Sequence, residues 1–287
     1  MNSKSCILTI IKNEHLYLDE WIRYHINFGI EHFFIIEDID SNSHKDITDK
    51  YGDRITLIDI ESFYEKHIYD YIVRLKRNTN VNIAQGILLP TTLEIIAKDY
   101  SDKYDWCFVI DDDEFLTFED DTKTLVGILS LFNDYDAFVI QWESYGANGL
   151  VFMPDYNIKG VVDTYMKKLD IQTIDAKSSL LKSCYNLKRY NKRYYRNCHR
   201  SQFCKCVNTD FSNKILVPTY KNIYIRHYIT KSLEEYIWKQ DVRGYFHRKP
   251  TYDFFFRMNP DMKDKRDEYI QAVKDKHPEI YSNTEEN

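Results

Sequence analysis

The sequence of 287 residues contains no apolar run that approaches the roughly 20 residues needed to cross a membrane. The apolar run near its start, Cys6–Ile11, is too short for a signal-peptide core followed by a cleavage site, and we interpret it as a strand. An excess of positive charge is also absent, because 39 Lys and Arg stand against 45 Asp and Glu. The net charge of −6 argues against non-specific nucleic-acid binding as the main activity.

The six cysteines follow no regular spacing, which fits a reducing compartment better than a disulfide framework. We therefore expect a cytoplasmic protein. No internal repeat and no interdomain linker stands out, while hydrophobic residues make up 43% of the chain and can form a sizeable core. The length then predicts one α/β domain over residues 1–281, followed by a frayed polar tail at 282–287.

The first 60 residues alternate between strand patterns and helix patterns. Such an order predicts parallel strands joined by right-handed crossovers. Pro90 is expected near the start of a later helix, where proline is tolerated. Strands are predicted at 6–11, 32–36, 55–60, 107–110, 137–142, 178–182, 214–217 and 223–229, and helices at 18–28, to about Tyr51, at 86–100, at 122–132 and from Ser232.

The most informative stretch is the acidic end of one apolar strand. Cys107–Ile110 is a continuous apolar run of the kind required by a sheet covered on both faces. Asp111, Asp112, Asp113 and Glu114 follow, and their mutual repulsion costs free energy unless a cation lies nearby. In an extended chain Asp111 and Asp113 would face the same side, roughly 7 Å apart, and could bind a hard divalent cation. The alternative is an acidic turn that binds nothing.

Asp111–Phe115 resembles the Asp-x-Asp-Glu-Phe element of glycosyltransferases with the GT-A fold, most of all the group around family 92 within the family-2-like superfamily. Four further stretches follow the motif order of that group over about residues 6–245. They are Lys12-Asn13-Glu14 with Glu20-Trp21, His25 and Gly29; Trp142 with Tyr145, Gly146 and Gly149; Lys177-Ser178 with His199; and His227-Tyr228 with Thr230-Lys231-Ser232, Glu234-Glu235-Tyr236, Lys239 and Arg243-Gly244.

The resemblance implies a single-domain GT-A-like (Rossmann-like) fold with a mixed, mainly parallel sheet flanked by helices. About residues 1–145 would bind the nucleotide sugar and a metal, and about residues 146–281 the acceptor. The implied activity is metal-dependent transfer of a hexose from a nucleotide sugar, a UDP-sugar with inversion, to a hydroxyl of a glycan or glycoconjugate. A nucleotidyltransferase, a diphosphate-sugar hydrolase and a non-catalytic carbohydrate-binding protein of the same fold remain alternatives.

The resemblance also assigns metal and nucleotide ligands. Asp113 is expected to bind Mn²⁺ or Mg²⁺ directly, and Asp111 to act through water or on the ribose. His227 would favour Mn²⁺ as an imidazole ligand, although a single histidine is more often structural. The nucleotide is expected to contact Lys12, Asn13, Glu14, Asp38, Asp40, Asp111, Asp112 and Lys231, with Asp38 and Asp40 equally open to an interpretation as turn residues.

The sugar and the acceptor are expected, by the same resemblance, at Trp142, Tyr145, Gly146, Lys177 and His199. An inverting reaction needs a carboxylate that deprotonates the acceptor hydroxyl. Three candidates for this base are Glu235, Glu143 and Asp163.

Two of these interpretations have a structural alternative. Glu235 is explained equally well as the acid of a capping box begun by Ser232. The basic, tyrosine-rich run at 188–200 either binds an anionic acceptor or forms a solvated face.

Overall fold

The computed structural model describes residues 3–38, 41–63, 81–169, 181–197, 199–213, 219–241 and 252–281. The chain divides into two compact units. The first unit comprises residues 1–143 and 176–227, and the second comprises residues 144–175 and 228–287. The assignment of about residues 1–145 to the donor and 146–281 to the acceptor stays a prediction.

The sheet begins with parallel strands in the first unit. These are β1 (Ser5–Ile11), β2 (His32–Glu37), β3 (Ile55–Asp59) and β4 (Trp106–Val109), which lie in the order β3-β2-β1-β4. Each neighbouring pair in this series is parallel. The alternation of strand and helix in the sequence therefore predicted this part of the fold correctly.

The same sheet continues with strands of mixed direction. The full order is β3-β2-β1-β4-β7-β6-β11-β5, and β10 pairs with β6. The pairs β4–β7, β6–β7 and β5–β11 are antiparallel, so the mixed sheet predicted from the sequence is confirmed. The remaining strands are β5 (Glu114–Phe118), β6 (Ala137–Ser144), β7 (Leu181–Asn186), β8 (Tyr195–Asn197), β9 (Arg200–Ser201), β10 (Cys206–Asn208) and β11 (Ile223–His227).

Several predicted segments differ from the observed strands or lie outside the described residues. The strand predicted at 178–182 begins at Leu181 within the described part, and the one predicted at 223–229 ends at His227. The strand predicted at 214–217 and the tail at 282–287 lie outside the described residues. β5 had no counterpart in the sequence prediction, because the acids before it and the polar residues after it leave only a short apolar run.

Helices flank the parallel strands of the first unit. In α1 (Leu18–Phe28), the predicted stripe of Leu18, Trp21, Ile22 and His25 is buried, and Gly29 ends the helix in a left-handed conformation with φ of 111°. The other helices are α2 (Lys45–Thr48), α3 (Ile60–Phe63), α4 (Val81–Tyr100) and α5 (Leu125–Leu131), with a 3₁₀ helix at Asp49–Arg54. No helix in the described part of the chain is long and apolar enough to span a membrane.

The expected position of Pro90 near a helix start is wrong, because α4 begins at Val81 and Pro90 lies inside it. Proline removes one backbone hydrogen bond from a helix interior. Leu88, Leu89, Leu93 and Ile96 of α4 are buried in one cluster with apolar residues of β1, β2 and β4. This burial of apolar surface offsets the lost hydrogen bond.

Side chains of α1 hold β5 through its backbone. The Trp21 indole Nε1 donates to the carbonyl of Glu114 at 2.8 Å, and the Tyr24 hydroxyl donates to the carbonyl of Leu116 at 2.9 Å. The amide of Leu116 donates to Nε2 of His25 at 3.2 Å, while Nδ1 of His25 donates to the carbonyl of Trp21 at 2.8 Å. His25 is therefore a neutral imidazole with both nitrogens in use.

The second unit contains α6 (Val161–Thr164), α7 (Leu233–Asp241), α8 (Asp253–Met258), α9 (Arg266–Lys276) and α10 (Pro278–Tyr281), with a 3₁₀ helix at Pro260–Lys265. Its core includes Leu233, Ile237, Phe255 and Val273. The predicted capping box is confirmed, because the Ser232 hydroxyl accepts from the Glu235 amide and the Glu235 carboxylate accepts from the Ser232 amide.

A loop of the second unit depends on a glycine. The amide of Ala147 donates to Oδ1 of Asn259 at 2.7 Å. A Cβ atom at Gly146 would lie 2.6 Å from the same Asn259 oxygen and 2.6 Å from Cδ2 of Leu169. Gly146 therefore allows the backbone to approach these side chains.

We expect His25 to make stability depend on pH. Burial lowers the pKa of His25 from 6.5 to about 3, so the unfolded chain binds the extra proton first as the pH falls. The His25 contribution to the free energy of unfolding is complete above pH 6.5 and is lost towards pH 3, at about 1.4 kcal/mol per pH unit. Urea unfolding at pH 7.5, 6.5 and 5.5 should show a shallower pH slope for His25→Gln. Exposed His15→Gln is the control, and equal slopes for wild type and His25→Gln would contradict the expectation.

We expect Gly146→Ala to destabilise the protein by about 1–3 kcal/mol, because the added methyl group overlaps Asn259 and Leu169. Gly86→Ala in α4 is a matched control, since a Cβ there meets no atom within 4 Å. Urea unfolding of the two variants measures the difference. Equal stability of the two variants would show that the loop adjusts without cost.

Candidate functional site

The acid turn, Asp111–Glu114, joins β4 to β5. It is a hydrogen-bonded turn, because the amide of Glu114 donates to the carbonyl of Asp111 at 3.2 Å. The amide of Asp111 in return donates to Oε2 of Glu114 at 3.0 Å. The extended chain expected between Asp111 and Asp113 is therefore wrong, since these reciprocal bonds fold the backbone back on itself.

The acid turn and the end of β11 bring three possible metal ligands together. Antiparallel pairing places His227 opposite Glu114. Nε2 of His227 lies 3.5 Å from Oδ1 of Asp113. One ligand atom from each of Asp113, Glu114 and His227 lies within 4.8 Å of the others, and all three residues are buried. The sequence predicted Asp113 and His227 for this group and did not single out Glu114.

These three residues fit a divalent cation. Two carboxylates and an imidazole are ligands that Mn²⁺ accepts readily, and Mg²⁺ accepts the oxygens. Nδ1 of His227 is buried and has no hydrogen-bond partner within the described ranges. A buried ring nitrogen without a partner costs free energy, and the ring nitrogen that faces Asp113 is the other one, Nε2.

A buried lysine lies close to two carboxylates of the acid turn. Lys182 of β7 has no exposed surface, and its Nζ lies 2.6 Å from Oδ2 of Asp111 and 3.4 Å from Oε1 of Glu114. Burial raises the pKa of Glu114 well above its usual value, and the Lys182 ammonium acts in the opposite direction. The sequence did not indicate this role. The signal that could have indicated it is a lysine inside a predicted strand. In the structure all residues of that strand are buried.

Trp142 of β6 lies against the same group. The centre of its ring is 4.1 Å from that of His227 and 5.3 Å from that of His199, and Nζ of Lys182 lies 5.7 Å from it. Burial and, secondarily, the Lys182 ammonium lower the pKa of His199 to about 4, so this imidazole is neutral at pH 7. Two residues expected at the sugar or the acceptor, Trp142 and His199, thus lie near the metal-ligand candidates.

The loop after β1 is fastened to the loop after β2. The amide of Asn13 donates to the hydroxyl of Ser41 at 3.0 Å, and Oδ1 of Asn13 accepts from the amide of Asn42 at 2.8 Å. The amide of Glu14 donates to Nε2 of buried His44 at 2.9 Å. Open α/β sheets bind ligands at the carboxyl ends of their parallel strands. These two loops follow such strand ends and are therefore well placed to contact a ligand.

Three more nucleotide candidates lie at this edge. Asp38 is buried directly after β2, Asp112 is buried in the acid turn, and Lys12 is half-buried after β1. Asp40 and Lys177 lie outside the described residues. The nucleotide and acceptor roles of all these residues stay predictions.

The remaining base candidates differ in their surroundings. Both oxygens of Glu235 accept hydrogen bonds, Oε1 from the Tyr156 hydroxyl at 2.6 Å and Oε2 from Ser232 and from the Tyr165 hydroxyl at 2.7 Å. Asp163 is exposed on the short helix α6, and Glu143 is half-buried in β6. The bonds of Glu235 favour its structural interpretation, and the identity of the base stays a prediction.

Two other predicted residues belong to the second unit. The Tyr145 ring is buried, with its centre 5.2 Å from that of Tyr228. Lys231 is buried and adopts a left-handed conformation with φ of 50°. Gly146, described above, supports the loop by its lack of a side chain.

The basic run at 188–200 makes ion pairs with acids of the same unit. Lys188 pairs with Asp105 at 2.6 Å, and Lys192 pairs with Glu94 at 2.9 Å. These pairs satisfy part of the positive charge of the run internally. The choice between an anionic acceptor site and a solvated face stays a prediction.

A family model of glycosyltransferase family 92 matches residues 3–276, nearly the whole chain. No curated protein matches the sequence. The match includes the acid turn and every described candidate residue discussed above. The mixed α/β sheet flanked by helices is consistent with the GT-A-like fold expected from the motifs. The chain belongs to glycosyltransferase family 92 and is a glycosyltransferase.

Proposed function

We propose that this glycosyltransferase transfers a hexose from a UDP-sugar, with inversion, to a hydroxyl of a glycan or glycoconjugate, and that it requires Mn²⁺ or Mg²⁺. The group of Asp113, Glu114 and His227 carries the proposal. It lies at the end of a buried parallel strand, and its oxygen and nitrogen donors suit a cation that also binds phosphate. A cation bound there would supply positive charge to the leaving nucleoside diphosphate.

The residues around this group exclude water from it and fix its geometry, and both effects strengthen its interaction with a charged ligand. Trp142 covers one side of His227 and limits the access of water there. Exclusion of water strengthens every electrostatic interaction within the site. The hydrogen bonds from α1 to β5 fix the backbone of Glu114, so its carboxylate needs little reorganisation.

The nucleotide is proposed to lie along the carboxyl ends of β1, β2 and β4. Asp38 and Glu14 place buried carboxylates at this edge, and carboxylates accept hydrogen bonds from a ribose or a uracil. The hydrogen bonds among Asn13, Ser41 and Asn42 hold the two loops together before a ligand arrives. A preorganised edge binds a nucleotide at a lower entropic cost.

A cytoplasmic location is part of the proposal. Cys6, Cys107 and Cys184 are free and buried, which suits a reducing compartment. Cell fractionation of the tagged protein tests this location.

We expect UDP to stabilise the wild-type protein in the presence of Mn²⁺. A ligand that binds only the native state adds about 2.7 kcal/mol at a hundredfold excess over its dissociation constant. Thermal unfolding with a panel of nucleoside diphosphates, with Mn²⁺ or with EDTA, measures the effect. Asp113→Asn should lose the shift, while the exposed control Asp121→Asn should keep it.

Two results would contradict parts of this proposal separately. A shift with UDP that persists in EDTA would refute the metal requirement and leave the nucleotide intact. A shift with a different nucleoside diphosphate would correct the donor alone.

We expect the products to be intact UDP and a transferred hexose of inverted anomeric configuration. Incubation with UDP-hexoses and a panel of glycan acceptors, followed by chromatography of the nucleotide and NMR of the anomeric proton, tests this outcome. Asp113→Asn serves as the inactive control. Release of pyrophosphate would indicate nucleotidyl transfer, and a retained anomeric configuration would remove the need for a carboxylate base.

A further inference from the structure

Lys182 is the cation of the acid turn that the chain itself provides. Its side chain is fully buried, in a strand that pairs with β4 on one side and β6 on the other. A buried ammonium is tolerated only when it is paired and hydrogen-bonded. The Asp111 carboxylate, 2.6 Å away, meets that requirement.

The carboxylates of the turn divide between two partners, the Lys182 ammonium and the His227 imidazole. Asp111 faces Lys182, whereas Asp113 faces His227 at 3.5 Å. Glu114 lies between them, because its Oε1 is 3.4 Å from Nζ of Lys182 and it also belongs to the group with His227. Asp111 itself is not a member of that group.

We propose that Lys182 is a positioning residue whose ammonium is the fixed counter-ion of Asp111, so that the acid turn is ordered without a metal and the cation is held by Asp113, Glu114 and His227. The role as counter-ion is independent of the proposed function. The assignment of the ligands rests on the proposed metal requirement.

The position of Lys182 explains why a fixed charge is useful here. Several carboxylates at one strand end repel one another, and the repulsion would separate them whenever no cation is bound. The backbone of Lys182 is opposite Ile140 in the antiparallel ladder between β6 and β7, so the ammonium is anchored on a rigid element. A charge fixed in the fold keeps the ligands in place at any metal concentration.

A double-mutant cycle in EDTA tests the counter-ion role. Lys182→Met leaves the half-buried Asp111 and the buried Glu114 without their cation, and Asp111→Asn leaves a buried ammonium without its closest anion. We expect each single variant to lower the melting temperature by on the order of 5 °C, since Lys182 is fully buried and Asp111 is half-buried, so that loss of either partner leaves a poorly solvated charge. The double variant should lose clearly less than the sum, because it removes both the ammonium and the Asp111 carboxylate and leaves only the longer contact of Glu114 unreplaced.

The cycle remains decisive if one variant fails to fold. Recovery of folding in the double variant, when Lys182→Met alone does not fold, supports the pairing. A double variant that is no more stable than the Lys182→Met protein, or losses that simply add, would overturn it.

Binding of Mn²⁺ tests the assignment of the ligands. The electron paramagnetic resonance signal of free Mn²⁺ gives the dissociation constant directly, without any measurement of activity. We expect the double variant Lys182→Met/Asp111→Asn to bind Mn²⁺ within about threefold of the wild type, because the pair is replaced as a neutral unit. Asp113→Asn should bind at least about tenfold more weakly, since a direct ligand is lost.

The opposite order of affinities would overturn the ligand assignment and make Asp111 a ligand. If the wild type itself binds no Mn²⁺, the proposed metal requirement and this assignment fail together. The cycle in EDTA still decides the role of Lys182 in that case, so the two failures are distinguishable.

Discussion

Several negative charges at the end of one buried strand are the constraint on which the rest of the site depends. Asp111, Asp113 and Glu114 stay close because the turn bonds its own carboxylate to its backbone, and because positive or polar partners approach from two other strands. Lys182 comes from β7 and His227 from β11. The mixed strand order is therefore what makes this concentration of charge stable, since it brings both partners to the end of β4.

The sequence motif in helix α1 also has a physical role at the site. Trp21 and His25 belong to the pattern that suggested the family, and in the structure both bind the backbone of β5, which contains Glu114. Trp21 and His25 therefore affect the site indirectly, by fixing the backbone of β5. The burial of His25 keeps its imidazole neutral for that task.

Much of the fold followed from local patterns in the sequence. The periodic apolar stripe of α1, the glycine after it and the capping box at Ser232 depend on residues close in sequence, and the structure confirms them. The extended shape expected for the acid turn is wrong, because an apolar run followed by acids does not show that Glu114 bonds back to Asp111 and starts a new strand, β5, which pairs with distant β11. Lys182 was missed for the same reason, since its partner is set by the strand order and not by its neighbours.

The hydrogen bonds from α1 also cover part of the outer edge of β5. β5 is the last strand in the order of the sheet, and it pairs with β11. An end strand with unpaired backbone groups can recruit a strand from another molecule and begin aggregation. The side chains of Trp21, Tyr24 and His25 already occupy backbone groups of Glu114 and Leu116. These backbone groups, in the half of β5 nearest the acid turn, are thereby unavailable to a foreign strand.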